Sequence, residues 1–186
     1  MGAERARMLK EAGVQRVHHN VETAESYYPE VSSTVRYEGR LRTIDAVREA
    51  GLETCVGGIL NLGETPEQRV EMAFELATLD PTSVPINLLI PKAGTKFGDR
   101  ELMDPWEAVK WVAIFRLILP DALFRLCGGR VQNLGELQGL AGRPRRRSVL
   151  LRRRLLIRAP TLLRSRSARA PFSPPPVRAT ADGGLF

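Results

Sequence analysis

Apolar residues along this chain alternate between stretches with the spacing of one helix face and short continuous runs, which is the pattern of helices and strands taken in turn. Ala3 to Ala12 reads as the end of a helix with Gly13 at its C-terminal cap, and Val14 to Asn20 as a short strand. With only Met1 and Gly2 ahead of that helix, the chain is expected to open partway through a fold. Val21 to Tyr37 is a polar loop punctuated by Tyr27, Tyr28 and Tyr37, and a helix from about Glu38 to Ala50 follows, with Leu41, Ile44 and Val47 as its stripe. Gly51 stops it, and Leu52 to Leu60 forms a strand that runs into a glycine-containing turn. Thr65, Pro66 and Gln68 predict a capping box with proline at the first helical position, opening a helix to about Leu79 that buries Val70, Ala73, Phe74 and Ala77. Ser83 to Ile90 is an apolar run interrupted by Asn87, as expected of a parallel strand covered on both faces. After a loop from Pro91 to Met103, Asp104 to Glu107 predicts a second capping box. Its helix buries Val109, Val112, Ala113 and Leu117 before Pro120 ends it, and Leu123 to Leu126 is the next strand.

Asn20, Cys55, Asn87 and Arg125 fall in or at the ends of successive strands, with separations of 35, 32 and 38 residues. One strand with its crossover helix takes about 30 or more. Consecutive βα units of this kind predict an α/β fold, either a section of a parallel β/α barrel or an open sheet. About four parallel strands with three intervening helices are expected, with the four polar residues pointing into one concave face. The C-terminal ends of strands are where both architectures place their active sites.

Composition changes this picture at one end of the chain. Residues 1–142 carry 16 Lys and Arg against 20 Asp and Glu, whereas the rest carries 12 against one, so a mildly acidic domain precedes a strongly basic tail. Two cysteines are too few for a disulfide framework and the N-terminal residues do not form a signal peptide, so a reducing, cytoplasmic setting is expected. No apolar run reaches the roughly 20 residues needed to span a bilayer.

Each candidate residue has an ordinary alternative. Cys55 reads as a small buried hydrophobe or a reactive thiol, Asn20 and Asn87 as bridges between strands or as ligand contacts, and Arg125 as half of a buried ion pair or as a ligand contact. His18 and His19 fill and bridge their strand, since no further histidine exists to complete a metal site.

Four segments taken together, HHNVETAESYYPEV, AGLETCVGGILNLGET, SVPINLLIPKAGT and LFRLCGGRVQNLGELQ, resemble the biotin synthase family of radical S-adenosylmethionine enzymes, nearly continuously from about Val14 to Ala141. The resemblance implies a TIM-type barrel, here a partial one of about four βα units. It also implies S-adenosylmethionine, a 4Fe-4S cluster that cleaves it reductively, and a 2Fe-2S cluster that supplies sulfur to dethiobiotin to form biotin. On the same basis Cys55 and Arg125 match two ligands of the 2Fe-2S cluster. Asn20, Glu22, Arg40, Ile59, Leu88 and Ile90 match positions lining the S-adenosylmethionine and substrate region, and Asn87 matches a residue beside dethiobiotin. Family members are expected to be homodimers.

The departures from the family are as informative. Its turn is expected to read Gly-x-Ile-x-Gly-x-x-Glu, and Gly57, Ile59 and Glu64 agree while Asn61 stands at the second glycine; asparagine is the non-glycine residue that best tolerates a left-handed backbone. No cysteine precedes Cys55, so the Cys-x-x-x-Cys-x-x-Cys ligands of the 4Fe-4S cluster and two further cysteines of the second cluster are not among these residues. Cys127 is expected to pack rather than replace them. The chain is therefore read as a partial barrel domain over 1–142, inactive as a fragment on its own, or as a non-catalytic half that complements a separate N-terminal fragment. Residues 143–186 are expected to form an unstructured Arg/Pro-rich tail, read as a frame change in a GC-rich gene or as a basic arm that attracts nucleic acid only nonspecifically.

Overall fold

The computed structural model describes residues 1–141, so every expectation for 143–186, the tail's disorder and its attraction for nucleic acid included, lies outside the described residues. In chain order the elements are α1 (Ala3–Glu11), β1 (Arg16–His18), a 3₁₀ turn (Glu25–Tyr27) continuous with α2 (Tyr28–Val31), α3 (Tyr37–Glu49), β2 (Glu53–Cys55) and β3 (Gly58–Leu60). Then come α4 (Pro66–Leu79), β4 (Ser83–Leu88), α5 (Pro105–Ile118), β5 (Leu123–Leu126), α6 (Arg130–Leu134), a second 3₁₀ turn (Gly135–Leu137) and α7 (Gln138–Ala141).

All strand pairs are parallel. β1 pairs with β2, both β2 and β3 pair with β4, and β5 lies along the other side of β4. Cys55 stands opposite Ser83 and Gly58 opposite Ile86 with the same offset, so β2 and β3 are one interrupted strand and the sheet has four strand positions, as expected. The interruption falls at Val56-Gly57. By that offset Gly57 faces Pro85, which has no N–H for the ladder. Here the backbones approach so closely that a Cβ on Gly57 would meet the Pro85 carbonyl oxygen at 1.9 Å, and one on Gly58 the Met72 sulfur at 2.5 Å. Glycine is required at both by contact.

Alternation along these strands separates two faces. Val56, Leu60, Val84, Ile86 and Leu88 turn outward and share the core with Met72 and Leu76 of α4 and Val112 and Phe115 of α5. Cys55, Ile59, Ser83, Asn87, Leu123 and Arg125 have the opposite parity and form the inner face.

The helix boundaries follow the sequence closely, whereas two helix faces differ from expectation. Thr65 accepts the Gln68 N–H at 3.2 Å and the Gln68 side chain accepts the Thr65 N–H at 2.9 Å, completing the first capping box. Yet α4 buries Arg69, Met72, Ala73 and Leu76, leaving Phe74 59% exposed with Val70 and Ala77 at the margin. Arg69 is buried because its charge is paired, and this shifts the buried stripe by one position. In α5 the buried residues are Ala108, Trp111, Val112 and Phe115, and Leu117 is 77% exposed. That helix is apolar around most of its circumference, and the rings of Trp111 and Phe115 take the core while Trp106 in the first turn stays exposed. The second capping box is half formed: Asp104 accepts from Trp106 and Glu107 at 2.9 Å each, but the Glu107 side chain is bonded to Arg69 and Trp111. The polar loop after β1 is also more ordered than its composition predicts, because Tyr28 and Tyr37 are both buried in edge-to-face contact at 5.3 Å.

Candidate functional site

The C-terminal ends of β1, β3, β4 and β5 carry the residues singled out from the sequence, and backbone geometry explains how they come together. One residue more separates His18 from Glu22 than separates their partners Cys55 and Gly58, so the chain bulges just past β1. Glu22 takes up the slack with φ of 73°. Its carbonyl accepts the Ile59 N–H at 2.7 Å, while its carboxylate meets the Arg40 guanidinium at 3.0 Å. Arg40 reaches in from α3, donates to the Tyr28 hydroxyl at 2.7 Å and to the Asn20 carbonyl at 3.1 Å, and stacks 5.6 Å from the Tyr28 ring centroid. Asn20 Oδ1 accepts the Gly57 N–H at 3.1 Å. Four of the candidates, Asn20, Glu22, Arg40 and Ile59, are thus one connected group.

Asn87 forms a second group. Its Nδ2 donates to the Gly58 carbonyl at 3.1 Å and its Oδ1 accepts the Gly128 N–H at 2.9 Å, so the carboxamide bridges the strands on either side. The bridging alternative therefore holds for both asparagines. A carboxamide has two donors and two acceptor sites, so half-buried Asn87 keeps one of each uncommitted among the described residues.

Cys55 and Arg125 share the inner face but differ in depth. Cys55 is buried, and Arg125 is exposed, two residues further along and across β4. At about 4.8 Å between strands and 3.3 Å per residue, their backbones lie roughly 12 Å apart. Arg125 makes no salt bridge among the described residues, which removes the buried-ion-pair alternative. Ser83, level with Cys55 on the next strand, is fully buried with no partner for its hydroxyl among the described residues. His19 Nε2 is likewise buried without a partner among the described residues, and burial, with Arg40 second, lowers the imidazole's pKa.

Leu88 and Ile90 stand apart. Leu88 faces outward into the core, so only its main chain is available at the site, and Ile90 is exposed beyond the end of β4.

Behind the site, the turn after β3 is held by charge. Asn61 has φ of 77°, as its place at a glycine position predicts. Glu64 accepts the Asn61 N–H at 2.7 Å and the Gly63 N–H at 3.0 Å, and pairs with Arg69 at 2.7 Å; Arg69 continues to Glu107 at 2.8 Å. This network, and the buried amide of Asn133, were not weighed in the sequence, although Glu64 and Asn133 lie within segments that carry the family resemblance.

The residues present suit iron–sulfur ligation only in part. Cys55 and Cys127 are free thiols, and no group of three or more His, Cys, Asp or Glu side chains is placed to hold a metal ion among the described residues. The whole sequence holds two cysteines. A three-cysteine 4Fe-4S site does not fit these residues. A 2Fe-2S site fits in part, with the Cys55 thiol and the Arg125 guanidinium on one face.

Comparison with known proteins defines the class first. Residues 1–76 match the Radical SAM superfamily and residues 85–144 the Biotin and Thiamin Synthesis associated domain. The fold is similar to that of methylornithine synthase at TM-score 0.65 and 20% identity, over 76% of this chain and 43% of that one. The class these matches define for the described residues is that of radical SAM proteins, which the chain resembles over its first 76 residues. Among curated sequences it is 51% identical over 141 residues to biotin synthase of Pelotomaculum thermopropionicum, covering 76% of this chain and 44% of the relative. It is 52% identical over 139 residues to that of Desulforudis audaxviator, covering 74% and 42%, and 51% identical over 140 to that of Mycobacterium avium, covering 75% and 41%. The chain spans about two fifths of the length of these relatives, and its similarity is to a C-terminal part of biotin synthase.

Proposed function

We propose that these residues form one wall of a biotin synthase active site, where S-adenosylmethionine-dependent sulfur insertion converts dethiobiotin to biotin. Supporting this is the convergence at one sheet edge of the connected group around Asn20, Glu22 and Arg40 with an Asn87 carboxamide that keeps spare hydrogen-bonding capacity. Asn20, Glu22, Arg40 and Ile59, with the main chain of Leu88 and the exposed Ile90, line the S-adenosylmethionine side. Asn87 orients dethiobiotin through its free N–H and acceptor. Cys55 and Arg125 supply one thiolate and one guanidinium to the 2Fe-2S cluster, which when bound carries the sulfur to be inserted. Ser83 and Cys55 together keep that end of the inner face closed to water, since both are buried. The 4Fe-4S cluster takes its ligands from a cysteine-rich segment that is not among these residues.

A non-catalytic half completed by a separate segment is the second reading. It is favoured by β1 and β5, each of which has a single strand neighbour among the described residues and so an edge free to pair. Homodimerisation of the completed protein follows the family. A reducing cytoplasmic setting suits the two free thiols. Among the described residues no helix is long and apolar enough to cross a membrane.

Titrating the isotope-labelled chain with dethiobiotin and with S-adenosylmethionine tests the assignment. Shifts of the Asn87 side-chain amide with the first, and of Asn20 and Glu22 with the second, are expected. Saturating ligand that moves none of these resonances, before and after adding a polypeptide carrying the three-cysteine segment, would sink it.

A further inference from the structure

Asn133, in α6, is buried and serves three main-chain partners with one carboxamide. Its Oδ1 accepts the Met103 N–H at 2.8 Å, and its Nδ2 donates to the Leu89 carbonyl at 3.1 Å and the Gly129 carbonyl at 2.9 Å. Leu89 and Met103 are the two stems of the loop between β4 and α5, so one side chain clamps both ends of that loop. Gly129 belongs to the turn after β5; its φ is 73°, and a Cβ there would meet the Leu88 carbonyl oxygen at 1.8 Å. The same turn gives the Gly128 N–H to Asn87 Oδ1 at 2.9 Å and takes the Leu88 N–H on the Gly128 carbonyl at 2.9 Å. Hydrogen bonds therefore run from Asn133 through the Gly128-Gly129 turn to Asn87, and the turn follows Arg125 by three residues.

We propose that Asn133 is a positioning residue: it aims the Asn87 carboxamide and fixes the approach of β5, with Arg125, without touching a ligand. Both of its N–H donors are already committed to main-chain carbonyls, which leaves it none for a substrate. The functional consequence rests on the assignment of Asn87 to dethiobiotin; the hydrogen-bond geometry does not.

The test compares Asn133→Ser and Asn133→Asp with the unaltered chain by amide exchange and by the Asn87 side-chain resonance. Aspartate keeps the acceptor for Met103 and loses both donors, whereas serine is too short to reach all three partners. Losing one buried hydrogen bond opens the local structure on the order of fivefold. The serine variant is expected to exchange the Met103 and Gly128 amides about that much faster, and the aspartate variant Gly128 alone, while Val56 in the β2–β4 ladder stays protected and the Asn87 resonance moves in both. Unchanged Gly128 exchange and an unmoved Asn87 resonance in both variants would overturn the proposal. So would loss of Val56, Met103 and Gly128 protection together, or failure of both variants to fold, since either assigns Asn133 to overall stability. Dethiobiotin is titrated separately: with the unaltered chain, no shift at Asn87 sinks the substrate assignment and leaves the Asn133 result standing. If the unaltered chain binds, the aspartate variant should need about fivefold more dethiobiotin.

Discussion

Glu75 of α4 sits half-buried where α4 meets α3 and the first 3₁₀ turn, taking the Tyr37 hydroxyl at 2.9 Å and the Glu25 N–H at 3.0 Å. Burial raises its pKa above the ordinary 4.5, with Glu71 and Glu25 adding to the rise, against the two hydrogen bonds, which lower it. The folded state therefore holds a proton on Glu75 more readily than the unfolded chain does. Its contribution to stability is fully present below the ordinary value and is lost as pH rises through the folded one. Glu75→Gln fixes the neutral form and keeps an acceptor for Glu25, so its urea midpoint relative to the unaltered protein should climb from acid toward neutral pH; a difference that stays flat would contradict this. Residues of this kind show what is legible in sequence at the smallest scale. Asn61 could be read because a left-handed backbone favours glycine or asparagine at a known turn position. Glu75 and Asn133 could not, because the partners of Glu75 lie 38 and 50 residues away and two of the three partners of Asn133 lie 30 and 44 away, and only folding brings them together.

Among the elements, the caps were readable, and so was the face of α3, where Ile44 and Val47 are buried, but the faces of α4 and α5 were not. Caps are local: Thr65 with Gln68, Asp104 with its two following amides, and Gly13 and Gly51 at positive φ all act within four residues. The face a helix buries depends on what covers it, and α4 buries a charged residue because Glu64 and Glu107 wait for it. Glu64→Gln tests the value of that arrangement. It removes the charge facing a buried guanidinium and weakens the turn that holds Asn61, while α4 and α5 keep their caps. Breaking a buried pair by removing one partner costs about 3 kcal/mol or more. Part of that is spared here because Glu107 remains beside Arg69, so a loss of about 2–3 kcal/mol in urea unfolding is expected. A loss under about 0.5 kcal/mol would mean that Glu107 alone satisfies Arg69.

At the scale of the whole molecule, the recurrence of a polar residue once per βα unit was enough to foresee a parallel sheet with Cys55, Asn87 and Arg125 on one face, because strand parity carries register from unit to unit. It could not foresee the bulge that lets Glu22 and Arg40 meet, which depends on one residue of slack between strands. The same sheet sets what these 186 residues can do by themselves. Its inner face is open at Leu123 and Arg125, and β1 and β5 each have one neighbour among the described residues. The sequence provides two cysteines, which falls short of the three that a radical-generating 4Fe-4S site requires as well as of the ligands of a second cluster. Hydrogen-bonding side chains such as Asn20, Glu22 and Asn87 do not replace redox chemistry that a cofactor must carry. The 186-residue polypeptide, reconstituted anaerobically with iron and sulfide and given S-adenosylmethionine, reductant and dethiobiotin, is therefore expected to release neither deoxyadenosine nor biotin. Adding a polypeptide that carries the three-cysteine segment should restore deoxyadenosine formation by pairing along a free strand edge, and lysine substitutions at the exposed edge of β1 should abolish that rescue. Substrate-dependent deoxyadenosine from the 186 residues alone would show that their own side chains complete a cluster site.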